Sequence, residues 1–189
     1  GVVKDVIAQA VSGVPPTPDM VAAWQVAVTG TTQEPAFKEA LGQVVEVQQV
    51  RRMPPAAQQA WLAERETALN TRGGTPQDKT RLATVRAALD ADRKQQQEDP
   101  LQYLENMTGK PPAAIQFDGL ATGNVGAVTT ALSDRIASLQ ALQKQGIPVA
   151  MKPLRTAEVT QLTQAMAQMP AHRLLELYGP LRVAAGDDA

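Results

Sequence analysis

Proline and glycine divide this sequence into helix-length pieces, and this punctuation constrains the fold more than any other feature. Thr17-Pro18, Thr75-Pro76 and Asp99-Pro100 each place a capping side chain directly before a proline, which suits the first position of a helix. Gly30 and Gly146 stand where two of these helices are expected to end. The pattern predicts a succession of helices joined by short turns.

Apolar residues between these breaks recur at helical spacing. The segments 34–50 and 125–145 show it best, and the second carries Val125, Val128, Leu132, Ile136, Leu139 and Leu142. Only 3% of the residues are aromatic, so the core must consist of Ala, Val, Leu and Met. We find no convincing strand pairs. The predicted fold is all-α, an irregular multi-helix bundle of about eight helices.

Between residues 110 and 126 the helical spacing lapses, and prolines and glycines accumulate. This composition predicts a long loop, either as a hinge or as a boundary between sub-domains. The expected organisation is an N-terminal helical sub-domain at 1–109, the loop at 110–126 and a C-terminal helical sub-domain at 127–189. The polar run 90–99, at the end of the fifth helix, is expected to be solvated.

One short internal similarity concerns the only histidine. Val50-Arg51-Arg52-Met53-Pro54 parallels Met166-Ala167-Gln168-Met169-Pro170, each at the end of one amphipathic helix and ahead of another. In this alignment His172 corresponds to Ala56. The similarity predicts a helix–Met-Pro–helix corner that the chain uses twice.

Composition excludes several classes of site. The chain has no cysteine, which removes disulfides, thiolate catalysis and cysteine-ligated zinc. The net charge of −1 provides no strong field for nucleic acid or an anionic membrane, so nucleic acid is not an expected partner. No apolar run approaches the roughly 20 residues of a membrane span. The start at Gly1 has neither an initiator Met nor a signal-peptide pattern, as expected of a piece of a larger protein.

Candidate catalytic residues all have a simpler explanation. His172 would need an orienting acid and a nucleophile to act as a base, and Glu176 four residues on fits a surface pair on one helix equally well. Adjacent acids that could form a glycosidase pair lie on charged helix faces, where nothing is expected to raise a pKa. They are Glu64 with Glu66, Asp90 with Asp92, and Glu98 with Asp99.

Two further patterns could bind an anion. The glycine-rich run Gly119–Gly126 precedes a helix but lacks the P-loop lysine, which favours a flexible loop. Basic residues interleaved with acids favour a mixed-charge helix surface over phosphate binding. They are Arg51, Arg52, Lys79, Arg81, Arg86, Arg93 and Lys94. We therefore predict no catalytic, cofactor-binding or metal-binding residue, no cofactor and no small-molecule ligand.

The second half of the chain resembles a helical segment of large phage and prophage virion proteins of the internal, ejection type. The resemblance spans roughly residues 50–182 and rests on five stretches. They are Glu98-Asp99-Pro100-Leu101-Gln102-Tyr103, the helix 131–144, Gly146-Ile147-Pro148-Val149, Pro153-Leu154-Arg155-Thr156-Ala157-Glu158 and Met169-Pro170-Ala171-His172-Arg173-Leu174-Leu175. Arg155 precedes Thr156 where the family pattern has a continuous Leu-Thr step.

The resemblance implies a virion component with a structural or delivery role. Such proteins often carry a lytic transglycosylase domain elsewhere in the chain, but no Glu-Ser dipeptide of that domain occurs here, so no catalytic residue is carried over. The implied partners are other virion proteins or copies of the chain itself. The implied location is the virion, or the bacterial cytoplasm for a prophage-encoded protein. Two alternatives stay open: a piece of a peptidoglycan-degrading virion enzyme, and a DNA-contacting ejection module.

Overall fold

The structure is a computed structural model that describes residues 1–185, with side chains as far as Val183. Within that range the chain forms nine α-helices and one short 3-10 helix and contains no strand, which confirms the all-α prediction. The α-helices are α1 (Val2–Val11), α2 (Pro18–Val28), α3 (Glu34–Arg51), α4 (Pro55–Arg72), α5 (Pro76–Glu98), α6 (Pro100–Thr108), α7 (Val125–Lys144), α8 (Thr156–Ala167) and α9 (Ala171–Ala185); the 3-10 helix is Phe117–Leu120.

The chain folds as two compact units, Gly1–Lys94 and Gln95–Ala189. The division therefore lies inside α5, whereas the sequence placed the boundary in the loop at 110–126. Hydrogen bonds explain why the end of α5 belongs to unit 2. The Ala150 N–H donates to the carbonyl of Gln96 at 2.9 Å, and Lys152 Nζ donates to the carbonyl of Gln97 at 2.6 Å.

Unit 1 is built around contacts of α3 with α1, α2 and α4. Phe37 and Val47 of α3 are fully or almost fully buried, as the apolar stripe over 34–50 predicts. Val6 and Ala10 of α1 and Val85 of α5 lie in the same core cluster. A core this rich in valine and alanine lets the helix backbones approach closely.

Local capping explains where several helices start. The Thr17 hydroxyl accepts from the Met20 N–H at 3.2 Å, and an Asp99 carboxylate oxygen accepts from the Gln102 N–H at 3.1 Å. Helix α8 begins at Thr156 without a capping hydroxyl. Arg155 is the N-cap, and its backbone N–H donates to the Glu158 carboxylate at 2.8 Å.

The Met-Pro corner recurs in both units with the same hydrogen bonds. The Met53 N–H donates to Val50 O at 3.0 Å, and the Met169 N–H donates to Met166 O at 3.1 Å. Five residues further along, the Gln58 and Leu174 N–H groups donate to the carbonyls of Pro54 and Pro170. The internal similarity therefore reflects one repeated backbone geometry.

Unit 2 contains two hydrophobic clusters. One joins α6 and α7 with the segment after α7, through Leu101, Tyr103, Leu139, Leu142 and Val149. The other lies among α7, α8, α9 and the 3-10 helix and contains Phe117, Leu120, Val128, Leu132, Met169 and Leu177. The predicted long loop at 110–126 contains the short 3-10 helix, and the buried Phe117 and Leu120 anchor it in this cluster.

The polar run at the end of α5 is only partly solvated. Asp92 and Gln96 are buried, so the prediction of a solvated extension is wrong at these two positions. Local polarity predicts exposure there, but a residue far away in sequence can bury a charged side chain, as Arg51 does for Asp92. None of the helices in the described residues has the length and apolarity needed to cross a membrane.

Candidate functional site

A buried ion pair joins three helices of unit 1. Arg51 Nε donates to an Asp92 carboxylate oxygen at 2.9 Å, while its terminal nitrogens donate to Ala10 O at 2.8 Å and to Val11 O at 2.9 Å. The carbonyls belong to the last turn of α1, where orphan acceptors and the helix dipole both favour a cation. Burial raises the pKa of Asp92, although the charge of Arg51 and its hydrogen bond oppose that rise.

The sequence interpretation of both residues is therefore wrong. The sequence predicts a mixed-charge surface for Arg51 and a solvated helix face for Asp92, yet their side chains are only 6% and 12% exposed. The pair connects α1, α3 and α5, so its first role is to hold these helices together.

A second buried arginine organises unit 2. Arg135 of α7 makes a two-pronged ion pair with Glu158 of α8, at 2.7 and 2.9 Å. It also donates twice to Ala113 O, at 2.9 and 2.6 Å, and once to Pro153 O at 2.9 Å. One guanidinium thus fixes α8, the segment before the 3-10 helix and the segment before α8 against α7.

An open cleft of about 750 Å³ lies between the segment that includes the 3-10 helix and α8. One wall is the segment 115–118 with Ala121, and the other is formed by Gln161, Gln164 and Ala165 of α8 with Gln168 directly after its end. Phe117 and Ile115 connect the floor to the hydrophobic cluster of α7, α8 and α9. We call this the glutamine cleft, because Gln116 adds a fourth carboxamide to its lining.

Helix α9 is apolar on two faces. Its inner face packs Leu174, Leu177 and Leu181 into unit 2. Its outer face exposes Leu175, Tyr178 and Val183, at 77%, 68% and 82% of their full accessible surface. Exposed apolar side chains close together on one helix can form a protein contact, so this outer row is a candidate contact surface.

His172 lies on α9, exposed to solvent. Glu176, its predicted neighbour on the helix, instead accepts from Arg173 at 3.0 Å. The corresponding corner of unit 1 has Ala56 at the position of His172 and forms the same turn. The structure thus places no acid or nucleophile of the described residues in contact with the imidazole.

We expect His172→Ala to leave the fold and the function of the chain nearly unchanged. An exposed side chain outside any hydrogen-bond network contributes little to stability, and alanine favours the helix. Thermal unfolding followed by circular dichroism checks this. A loss of several degrees in the midpoint would show that the imidazole has a role that its exposure conceals.

Of the other predicted acid pairs, only Glu98 and Asp99 line a described cleft together, one of about 480 Å³ that also includes Lys152 and Arg155. Glu66 pairs with Arg86, Asp90 with Arg93 and Asp99 caps α6, while Glu64 is exposed on α4. Among the described residues, no group of three His, Cys, Asp or Glu side chains has a metal-binding arrangement.

Three of the basic residues considered in the sequence analysis form ion pairs with acids at the surface: Arg81 with Glu39, Arg86 with Glu66 and Arg93 with Asp90. These pairs agree with a mixed-charge surface. A cavity of about 230 Å³ in unit 1 is lined by Trp61, Arg65 and Arg81 among others. There Arg81 is held by both oxygens of Glu39 at 2.6 and 2.8 Å, and Arg65 pairs with Glu46 at 3.3 Å while stacking on Trp61. Its arginines are thus largely committed to intramolecular contacts.

The glycine-rich run 119–126 is closed by a side chain from α9. Gly123 has φ +90°, and a Cβ at this residue would lie 2.6 Å from Arg173 Nη1. The positive φ favours glycine there, and the guanidinium of Arg173 lies close to its backbone. The run is a packed turn.

The Arg135–Glu158 pair makes the stability of unit 2 depend on pH. Burial would raise the pKa of Glu158, but hydrogen bonds from Arg135 and from the Arg155 N–H outweigh it and hold the pKa below 4.5. A depressed carboxyl pKa contributes stability above the pKa of the unfolded chain, and this contribution is lost as pH falls through the folded value. We expect the free energy of unfolding of unit 2 to fall as pH drops below about 4.5. The difference in urea unfolding between wild type and Glu158→Gln should shrink over the same range; a constant difference would contradict the assignment.

The fold and these sites define an all-α protein of two helical units, each stabilised by a buried arginine. In comparisons with protein-family models, with curated proteins and with solved structures, nothing matched the chain.

Sequence reasoning missed Arg51, Asp92, Arg135 and the glutamine cleft as structural features. For the cleft a signal was present, because Gln161, Gln164 and Gln168 are spaced three and four residues apart in the sequence, as residues on one helix face would be. The partners that bury the two arginines lie far away in sequence, and no local pattern points to them.

Proposed function

We propose that this chain is a non-catalytic helical structural or interaction region of a phage or prophage virion-associated protein, which packs against copies of itself or against other virion proteins. The proposal rests on the outer row of α9, Leu175, Tyr178 and Val183, which is exposed in the isolated chain. Exposed apolar rows of this kind are typical of protein–protein contacts. The resemblance of residues 50–182 to helical segments of virion proteins supplies the biological setting.

Two properties of unit 2 support a contact role for this row. The inner face of α9 is fixed by Leu177, which is fully buried, so the outer row stands on a helix that is packed in place. Tyr178 also combines an apolar ring with a hydroxyl, and such side chains are enriched in protein interfaces. A rigid row loses little conformational entropy when a partner covers it.

Light scattering and virion co-sedimentation test the proposal. Wild-type chain and its parent protein are expected to associate with themselves or with purified virions. Leu175→Gln with Tyr178→Gln should reduce that association at least ten-fold, the loss typical of truncating central apolar contacts. Val26→Gln is the matched control, because Val26 is 79% exposed on α2 and lies outside the row.

The proposal is refuted if the chain and the longer protein that contains it are both strictly monomeric and neither associates with virions. Muralytic activity of the isolated chain would instead favour the peptidoglycan-degrading alternative. Steeply salt-dependent DNA binding would favour the ejection alternative.

A further inference from the structure

We propose that α8 is a lid on unit 2, which opens as a separate, less stable segment and is kept closed by the Arg135–Glu158 ion pair. The open form exposes the apolar surface of the 3-10 helix, which α8 contacts in the closed form. The inference concerns motion within unit 2, and it depends neither on the virion setting nor on the outer row of α9.

Helix α8 packs on unit 2 without a buried side chain of its own. None of its residues is buried, whereas each of the other α-helices in the described chain contributes at least one buried side chain. Its inner face consists of Glu158, Leu162, Ala165 and Met166, all partly buried, and the three apolar members pack against the cluster of α7, α9 and the 3-10 helix. Since this contact removes little apolar surface from water, opening of α8 costs less than unfolding of the unit.

The ion pair supplies the main polar contact between α8 and α7. Both carboxylate oxygens of Glu158 accept from Arg135, at 2.7 and 2.9 Å. One of these oxygens also accepts from the Arg155 N–H at 2.8 Å, at the start of the helix. Charged hydrogen bonds in this two-pronged geometry are stronger than neutral ones, so the pair holds a helix whose apolar contacts are few.

Opening of α8 leaves no buried charge without a partner. Arg135 retains Ala113 O, to which it donates twice, and Pro153 O, and neither carbonyl belongs to α8. The Glu158 carboxylate becomes solvated when the helix leaves. The opening therefore avoids the unpaired buried carboxylate that makes loss of the arginine itself so costly.

The lid is anchored at both ends. Pro153 before it is held by Arg135, and Met169 after it is buried. The segment that opens is therefore 154–168. A helix of 12 residues is marginally stable in water once it is separated from its partners, so the open form should lose its helical hydrogen bonds and exchange its amide hydrogens.

Acid should open the lid. Burial raises the pKa of Glu158, but hydrogen bonds from Arg135 and from the Arg155 N–H, together with the charges of these two arginines, outweigh it and hold the pKa below 4.5. They are the charged groups of the described residues that act on this carboxylate. Protonation removes the charge of Glu158, so the stability of the closed form is lost as pH falls through the folded value.

Hydrogen exchange of the whole chain, resolved to single helices by mass spectrometry, tests the proposal. The quantity compared is the protection factor, the ratio of the intrinsic to the observed exchange rate. At neutral pH the amides of α8 should be protected at least about ten-fold less than those at the centre of α7, because a local opening requires less free energy than unfolding of the unit. Equal protection would overturn the proposal, since α8 would then open only together with the rest of unit 2.

Leu142→Ala distinguishes opening of the lid from unfolding of the unit. Leu142 lies in the hydrophobic cluster of α6 and α7, which includes no residue of α8, so its truncation destabilises the closed and the open form alike. The protection of α7 should fall at least about ten-fold, while that of α8 should change by less than about two-fold. Val149→Ala, a smaller truncation in the same cluster, should give the same pattern with a smaller fall in α7. An equal fall in both helices, in both variants, would show that α8 is not a separate segment.

Glu158→Gln tests the ion pair. Glutamine still provides an acceptor for the Arg155 N–H but has no charge for Arg135. The protection of α8 should fall about ten-fold, the typical effect of losing a charged hydrogen bond, and that of α7 by a similar factor, because the pair is broken in both openings. Below pH 4.5 the protection of α8 in the wild type should approach that of the variant.

Asp134→Asn is the matched control, because it removes an exposed acid next to Arg135 on α7. It should leave the protection of α8 unchanged. A protection of α8 that does not respond to Glu158→Gln, or that responds equally to Asp134→Asn, would refute the role of the ion pair in closing the lid.

Discussion

Arg135→Ala is expected to destabilise unit 2 by about 3–5 kcal/mol, the usual cost of removing one partner from a buried ion pair. The substitution leaves the Glu158 carboxylate, 19% exposed, without its cation. It also deprives the carbonyls of Ala113 and Pro153 of their donors. Because unfolding free energies of single domains are of the order of 5–15 kcal/mol, this loss removes a large part of the total.

The positions of the tryptophans allow the stability of each unit to be followed separately. Trp24 and Trp61, the two tryptophans of the chain, both lie in unit 1. In Arg135→Ala, part of the circular dichroism signal at 222 nm should therefore be lost at a lower urea concentration than in the wild type. The tryptophan fluorescence should still change at the wild-type midpoint. Arg182→Ala, an exposed arginine of the same unit, is the matched control.

Arg135→Lys distinguishes charge from geometry. Lysine retains the charge but not the planar fork that reaches Glu158 and two carbonyls together. It should recover less than half of the lost stability. Full recovery would show that charge alone accounts for the stabilisation, and an unchanged unfolding curve in Arg135→Ala would refute the role assigned to this residue.

Much of the fold follows from local sequence signals. Thr17, Thr75 and Asp99 start helices because a short polar side chain before proline satisfies the free N–H groups of the first turn, and this requires only a few neighbouring residues. The stripe that begins at Phe37 likewise identifies the buried face of α3 without any knowledge of its neighbours. Signals of this kind were sufficient to predict an all-α protein.

The candidate sites depend on distant residues and could not be predicted in the same way. Arg51 and Asp92 are 41 positions apart, and each has neighbours in sequence that are typical of a solvated surface. The face of α8 with Gln161 and Gln164 has the same spacing as any polar helix face. It becomes one wall of a cleft only because Phe117 holds another segment opposite it.

Arg51→Ala is expected to destabilise unit 1 by about 3–5 kcal/mol. Asp92 would be left as a buried carboxylate without a cation, and Ala10 O and Val11 O at the end of α1 would lose their donors. The tryptophan fluorescence midpoint in urea should fall, in contrast to Arg135→Ala. Arg52→Ala, at the adjacent exposed position, should leave that midpoint unchanged.

The double variant Arg51→Met with Asp92→Leu separates the ion pair from the helix-end contacts. Replacing both charges with apolar side chains removes the unpaired carboxylate, so the double variant should be more stable than Arg51→Ala. It should stay less stable than the wild type, because a methionine cannot donate to the carbonyls of α1. Equal stability of the double variant and the wild type would mean that the α1 contacts contribute nothing. Equal stability of the double variant and Arg51→Ala would mean that the buried charge of Asp92 is not the source of the loss.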